Sequence, residues 1–147
     1  MSQSPTQRSL ELARKMGWIA DVCERWVPMK NHPGGGQRKD LFGFLDVVAL
    51  TPYGILGIQA CARASHKNRM DKAILAPELK EWLRMRAGFV VWSWAKTGKP
   101  LRWGVKAQGI VYYPGEDIGP HRLEPFPHIV GATQEDGPGL SGIHNAG

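Results

Sequence analysis

Residues 38–63 read RKDLFGFLDVVALTPYGILGIQACAR, and this stretch decides the fold. Its two apolar runs, Leu41–Leu50 and Ile55–Ala62, flank a TPYG turn sequence. Both runs are apolar at odd and even positions, which predicts two strands buried on both faces at the centre of a sheet. Yet one run contains Asp46 and the other contains Gln59. Because a buried polar group without a partner destabilises a protein by roughly 1–3 kcal/mol, this pair predicts a functional site.

The two polar residues suit a hard metal ion. A short turn pairs the strands antiparallel, and one available register puts Asp46 beside Gln59. A carboxylate, a glutamine carbonyl and a main-chain carbonyl, here assigned to Ala60, are ligands for Mg²⁺ or Mn²⁺. Such ions would polarise a phosphodiester and activate water. A nucleophilic pair of Cys61 and His66 is an alternative, but a thiol in a buried strand is more often inert.

Charge predicts a polyanionic partner. The 147 residues include 19 Lys and Arg against 13 Asp and Glu. Eighteen of these cations and eight of the acids precede Pro114, a net charge of +10, whereas residues 114–147 carry −4. A basic folded part favours nucleic acid as the partner. We expect one domain, residues 1–113, and a Gly- and Pro-rich acidic tail, residues 114–147, that is largely disordered.

Other sequence features bear on the cellular compartment. No apolar run is long enough to span a membrane, and the N-terminus lacks the apolar segment of a secretory signal. Both cysteines, Cys23 and Cys61, lie in apolar runs and suit reduced, buried thiols. These features predict a cytoplasmic protein.

Local patterns predict the remaining elements. Residues 63–72, RASHKNRMDK, read as a loop and helix start. The other expected elements are helices at 5–16 and 76–87, strands at 18–28, 89–96 and 102–113, and a mobile glycine-rich loop at 29–40. The order α-β-β-β-α-α-β-β predicts an α/β domain with a mixed central sheet flanked by helices.

The basic residues around the hairpin suggest where DNA would lie. The cluster at residues 63–72 leaves the end of the strand that carries Gln59, which suits phosphate contacts better than a solvated loop does. The predicted DNA-binding residues are Arg38, Lys39, His66, Lys67, Arg69 and Lys72.

The pattern Arg38-x7-Asp46 followed by Asp46-x12-Gln59-x-Cys61 resembles the core of the PD-(D/E)XK nuclease superfamily. It is similar in particular to archaeal Holliday-junction resolvases and to related small phage and prophage proteins. The similarity covers about residues 5–113. It implies a restriction-endonuclease-like core, a two-fold dimer and a bacterial or phage origin. It also implies a metal-dependent DNA endonuclease of Holliday-junction-resolvase or repair type.

The resemblance also implies roles for individual residues. Arg38 falls on the family arginine, Asp46 on the metal-binding aspartate and Gln59 on the metal-binding glutamate. Cys61 stands where the family has a lysine, so a nearby cation is expected to replace it.

Two further residues enter as candidates through the resemblance. Arg63, on the same strand face as Gln59, is the predicted substitute for the lysine, with Lys67 as a second candidate. Glu11 is the candidate for the acidic helix residue that the family places near the metal.

Gln59 and Cys61 also leave a second function open. Both depart from the Glu-x-Lys pattern and weaken the catalytic interpretation. The alternative is a catalytically impaired nuclease-fold DNA-binding protein of phage origin that modulates DNA processing or host defence. A protein-binding module without a nucleic-acid role is a third hypothesis.

Overall fold

The computed structural model describes residues 3–110 and 123–124. Within these residues the helices α1 to α3 span Pro5–Lys15, His66–Leu75 and Pro77–Arg84, and a 3₁₀ turn, Arg63–Ser65, precedes α2. The strands β1 to β8 span Ile19–Val22, Arg25–Pro28, Gly36–Lys39, Val47–Thr51, Gly54–Ala62, Gly88–Thr97, Arg102–Ile110 and Leu123–Glu124.

Six of the strands form one mixed sheet in the order β1-β4-β5-β6-β7-β8. Strands β5 and β6 run parallel, because α2 and α3 connect them, and the other neighbouring pairs are antiparallel. The remaining two strands, β2 and β3, form a separate antiparallel ribbon. The expected α/β class with a mixed sheet flanked by helices is confirmed.

Helices cover both faces of the sheet. On one face, α1 contributes Leu10 and Ala13 to a core that also contains Ile58 and Trp92. On the other, α2 and α3 cover a second core built around Phe44 and Phe89. Burial of each large apolar side chain stabilises the fold by about 1.5–3 kcal/mol. The hairpin β4–β5 therefore lies in the middle layer, as its apolar runs predict.

The strand expected at Leu41–Leu50 is shorter than predicted. A tight turn intervenes, with positive φ at Phe42 (56°) and Gly43 (81°), and it is closed by a bridge between Leu41 and Leu45. Glycine favours this left-handed conformation. The buried Phe44 and Leu45 belong to the second core rather than to the sheet, so their apolar character does not mark a strand.

The strand expected at residues 18–28 is also wrong in its extent. The chain forms β1 against β4, leaves the sheet after Val22, and then forms β2. The glycine-rich segment 29–40, expected to be a loop, contains β3, the partner of β2. The helix expected at residues 76–87 is shorter, at Pro77–Arg84. The observed order therefore has two more strands before α2 than predicted.

The predicted boundary at residue 113 and most of the predicted tail lie outside the described residues. Within that segment, β8 pairs with the end of β7 through Gly109 and Ile110. No helix in residues 3–110 is long and apolar enough to cross a membrane.

Candidate metal-binding cleft

The register of the central hairpin brings the two polar residues together. Strand β4 pairs with β5 through Val47 and Ile58, which puts Asp46 next to Gln59. The Asp46 carboxylate oxygen Oδ2 accepts hydrogen bonds from Gln59 Nε2 at 2.6 Å and from the Ala60 main-chain N–H at 2.8 Å. Asp46 and Gln59 are only 4% and 1% exposed. Of the registers open to the two strands, the structure thus adopts the one that pairs Asp46 with Gln59.

Two further acids meet Asp46 in the fold. The carboxylate oxygens of Glu24, Asp40 and Asp46 lie within 4.8 Å of one another, in an arrangement that could hold a metal ion. The main-chain N–H of Cys23 donates to the Asp46 carbonyl at 2.9 Å, which extends the β1–β4 pairing and positions Glu24. Asp40 directly follows β3, and Gln59 Nε2 lies 3.5 Å from its Oδ2.

The environment of Asp46 disfavours its ionised form. The pKa of Asp46 is raised to about 8, above all by burial and in addition by a hydrogen bond with Asp40 and the charges of Asp40 and Glu24. The hydrogen bond from Ala60 acts in the opposite direction. Three ionised carboxylates at this separation repel strongly in a medium of low polarity. The cluster therefore favours a proton or a cation between its oxygens.

The side chain of Gln59 favours a cation, rather than a proton, at the acidic cluster. Its Oε1 atom is buried and has no hydrogen-bond partner among the described residues. A buried amide oxygen left unpaired is rare and costs free energy. Rotation of the terminal amide would exchange Oε1 with Nε2 and present an oxygen to the acids. Three carboxylates and an amide oxygen form a donor set that fits Mg²⁺ or Mn²⁺.

The acids lie in an open cleft of about 1070 Å³. Cationic side chains from both sides line it: Arg25, Arg38 and Lys39 from the β2–β3 ribbon, and Arg69 and Lys72 from α2. Arg38 donates to Glu24 at 3.3 Å and keeps a largely exposed side chain. The cleft thus combines an acidic floor with a basic rim, which suits a phosphodiester held against a metal ion.

Cys61 also lines this cleft and carries no charge at neutral pH. Burial raises the pKa of its thiol to about 11, and the nearby Arg69 guanidinium lowers it in part. A thiol with that pKa is a poor nucleophile at neutral pH. Arg69 is consequently a cation close to the position where the resemblance expects a lysine.

Arg63, by contrast, is directed away from the acids. Its guanidinium donates to the main-chain carbonyls of Ser93 at 3.4 Å and Gly104 at 3.3 Å. With Lys67 and Lys106 it lines a separate hollow. Lys67 in turn forms a 2.8 Å ion pair with Asp71. Neither predicted substitute for the lysine lines the acidic cleft.

His66 and Glu11 are also separate from the acids. His66 is 5% exposed, with Nδ1 2.6 Å from Ser93 Oγ and Nε2 2.9 Å from Gln108 Oε1. Burial lowers its pKa, so the neutral ring fastens the start of α2 to β6 and β7. Glu11 lies on the exposed side of α1, where Gln3 donates to it.

The sequence did not identify Glu24 and Asp40 as site residues. Glu24 is one of several charged residues in the strand expected at residues 18–28, and Asp40 ends the segment expected to be a glycine-rich loop, so each reads as a surface polar residue. The missing information was the pairing of β1 with β4, which brings Glu24 beside Asp46, and the return of the β2–β3 ribbon, which ends at Asp40.

No known protein helps to identify the cleft. No family model matches this chain, and neither a curated protein nor a solved structure matches it. The resemblance to PD-(D/E)XK nucleases therefore rests on the residues of this chain and stays a prediction.

Proposed function

We propose that this protein is a metal-dependent DNA endonuclease, with the acidic cleft as its active site. The observation that carries the proposal is the cluster of Glu24, Asp40 and Asp46 on the floor of a cleft with a cationic rim. Carboxylates alone would repel a DNA backbone, whereas carboxylates that hold a divalent ion beside lysines and arginines attract it.

The residues of the floor divide into ion ligands and a group that positions them. Asp46, Asp40 and Glu24 would hold the ion, with the rotated Gln59 amide as a neutral donor. The bound ion would supply Lewis acidity towards the phosphodiester and lower the pKa of a water molecule. The Ala60 N–H keeps Asp46 Oδ2 in a fixed direction through its 2.8 Å hydrogen bond. The carbonyl role expected for Ala60 stays a prediction.

Arg69 is the cation that we assign to the reacting phosphate. Its side chain lines the cleft beside Cys61, and its Nε atom is buried without a hydrogen-bond partner in the part of the chain that the structure describes. A guanidinium binds phosphate oxygens well and would stabilise the negative charge that grows in the transition state. Lys72, one helical turn further on, would bind a neighbouring phosphate.

A second candidate function is DNA binding without cleavage. Gln59 contributes no charge to the ion site, and Cys61 cannot replace an ammonium group. A weaker ion site would leave a nuclease-fold protein that binds DNA and modulates its processing. The dimer implied by the resemblance is compatible with either function and stays a prediction.

Cleavage of DNA by the purified protein separates the two functions. We expect wild-type protein to cut branched or linear DNA with Mn²⁺, and Asp46→Asn to lose most of this activity. Asp71→Asn is the matched control, because Asp71 is paired with Lys67 outside the cleft and should not matter. If highly purified wild type cuts neither substrate, the nuclease proposal is wrong; salt-dependent DNA binding that survives Asp46→Asn would then support the second function.

A further inference from the structure

The β2–β3 ribbon stands beside the acidic cleft as a separate element. Glu24 immediately precedes β2 and Asp40 immediately follows β3, so two of the three clustered acids form the base of the ribbon. Neither strand packs extensively against another helix or strand of the described chain. The ribbon is therefore an arm attached at the candidate active site, and the core does not account for it.

The arm is cationic, above all at its base. Between Arg25 and Lys39 the sequence has four Lys or Arg residues and no acid. All four are exposed, and Arg25 and Lys39 lie opposite each other in the ribbon. A two-stranded ribbon has the width of the DNA major groove, and exposed cations on such an element bind phosphates. The charge of the arm thus fits a nucleic-acid strand that enters the cleft.

Trp26 gives the arm a more specific feature. Its side chain is 55% exposed, although tryptophan is among the largest apolar residues. One edge of its indole ring lies over Gly36, where an added Cβ would meet the ring atoms Cε2 and Cζ2 at 2.9 Å. Arg38, the cross-strand partner of Trp26, extends from the same face of the ribbon. A smaller apolar residue would be enough to cover a glycine, so the exposed ring surface needs another explanation.

We propose that the ribbon is a DNA-binding arm in which Trp26 stacks on an unpaired base while the neighbouring cations contact the flanking phosphates. Contact with Gly36 fixes the ring before DNA arrives, which reduces the entropy lost on binding. Stacking of a base on an aromatic side chain requires that the base is not already stacked within a duplex. This inference rests on the proposed function for its substrate: DNA with unpaired bases beside a duplex, such as a gap or a branch.

Binding to two DNA probes tests the arm. The full chain is titrated, with Ca²⁺ in place of Mn²⁺ to prevent cleavage, into labelled duplexes of one sequence, either continuous or with a short single-stranded gap. Three variants are compared with wild type: Trp26→Phe keeps an aromatic ring, Trp26→Leu keeps an apolar cover over Gly36, and Trp26→Ala keeps neither. Leu75→Ala, which removes another exposed apolar side chain, is the control.

We expect the variants without an aromatic ring to lose affinity for the gapped probe alone. Trp26→Leu and Trp26→Ala should bind the gapped probe roughly five- to 150-fold more weakly, the range expected for one stacked base, and Trp26→Phe should retain most of the affinity. Binding of the continuous duplex should hardly change. Equal binding of both probes by Trp26→Leu and wild type would overturn the proposal, as would an equal loss on both probes.

Cleavage separates this inference from the proposed function. If wild type cuts gapped DNA with Mn²⁺ and Trp26→Leu binds and cuts it equally well, the arm proposal is wrong and the nuclease proposal stands. If wild type never cuts but Trp26→Leu loses affinity for the gapped probe, the arm is supported and the nuclease proposal is wrong.

Discussion

Protonation of the Asp46 carboxyl makes the stability of the folded protein depend on pH. Its pKa in the folded protein is about 8, above the value of roughly 4 in an unfolded chain, so the folded state holds the proton more tightly. This contribution to stability is complete below about pH 4 and disappears as the pH rises through about 8. We expect the unfolding free energy of the metal-free protein to fall over that range, by at most about 5 kcal/mol.

Asp46→Asn tests this coupling. Asparagine can still accept from Ala60 and can donate to Asp40 without a proton that titrates. The variant should match wild type near pH 4 and be more stable near pH 8 in the absence of divalent ions, as measured by urea unfolding. The difference between the two proteins cancels the titration of the histidines. A variant that is less stable than wild type at both pH values would contradict the assigned pKa.

Gln59→Glu should have opposite effects with and without metal. A fourth carboxylate beside Asp46 and Asp40 adds repulsion, so the metal-free variant should be less stable than wild type at pH 8. With Mn²⁺ the added charge should strengthen binding, because affinity for hard ions grows with the number of carboxylate ligands. Isothermal titration calorimetry measures the affinity, and Gln37→Glu, further along the same cleft, is the control. Equal Mn²⁺ affinity in Gln59→Glu and wild type would remove Gln59 from the ion site.

At the scale of elements, two glycines distinguish the arm from the core. A Cβ at Gly57, in the middle of β5, would come 2.4 Å from Leu45 Cδ2, and Leu45 is fully buried. Gly57→Ala should therefore lower the unfolding free energy by about 1–3 kcal/mol. A Cβ at Gly36 would come 2.5 Å from the Val27 carbonyl oxygen, a backbone atom of the ribbon.

Gly36→Ala should consequently damage binding more than stability. The ribbon packs against little of the domain, so the melting temperature should change less than in Gly57→Ala. DNA affinity should fall, because distortion of the ribbon moves Trp26 and the cations beside it. Thermal unfolding and fluorescence anisotropy measure the two effects. A Gly36→Ala protein that binds DNA like wild type would show that the ribbon does not contact DNA.

The sequence predicted the elements that are marked by a local pattern of apolar and polar residues. Continuous apolar runs identified the central hairpin, because such runs depend on neighbouring residues alone. They left several registers open, of which one puts Asp46 beside Gln59, and the structure adopts that one. The ribbon was missed because Gly34 and its neighbours suggested a loop, whereas pairing of β2 with β3 depends on both strands at once. For the same reason Glu24 and Asp40 could not be assigned to the site before the strand pairings were known.

For the whole molecule, α2 divides the basic surface into two sides. Arg69 and Lys72 line the acidic cleft, whereas Lys67 lines the other hollow together with Lys106. The formal charge of +10 before Pro114 attracts DNA to either side, so net charge alone does not define the binding surface. Two variants of α2, each with one lysine neutralised, have the same net charge. Their DNA affinities therefore show whether DNA lies in the acidic cleft or in the hollow beside Lys106.

Lys72→Gln and Lys67→Gln are the matched pair. If DNA lies in the acidic cleft, Lys72→Gln should weaken binding and lower the slope of log affinity against log salt concentration by about 0.9, the value for one lost phosphate contact. Lys67→Gln should leave the slope nearly unchanged, since Lys67 is directed to the other hollow and is paired with Asp71. The measurement is fluorescence anisotropy over a series of salt concentrations. The reverse result would move the DNA to the hollow beside Lys106, away from Asp46, and a nuclease centred on Asp46 could not then reach its substrate.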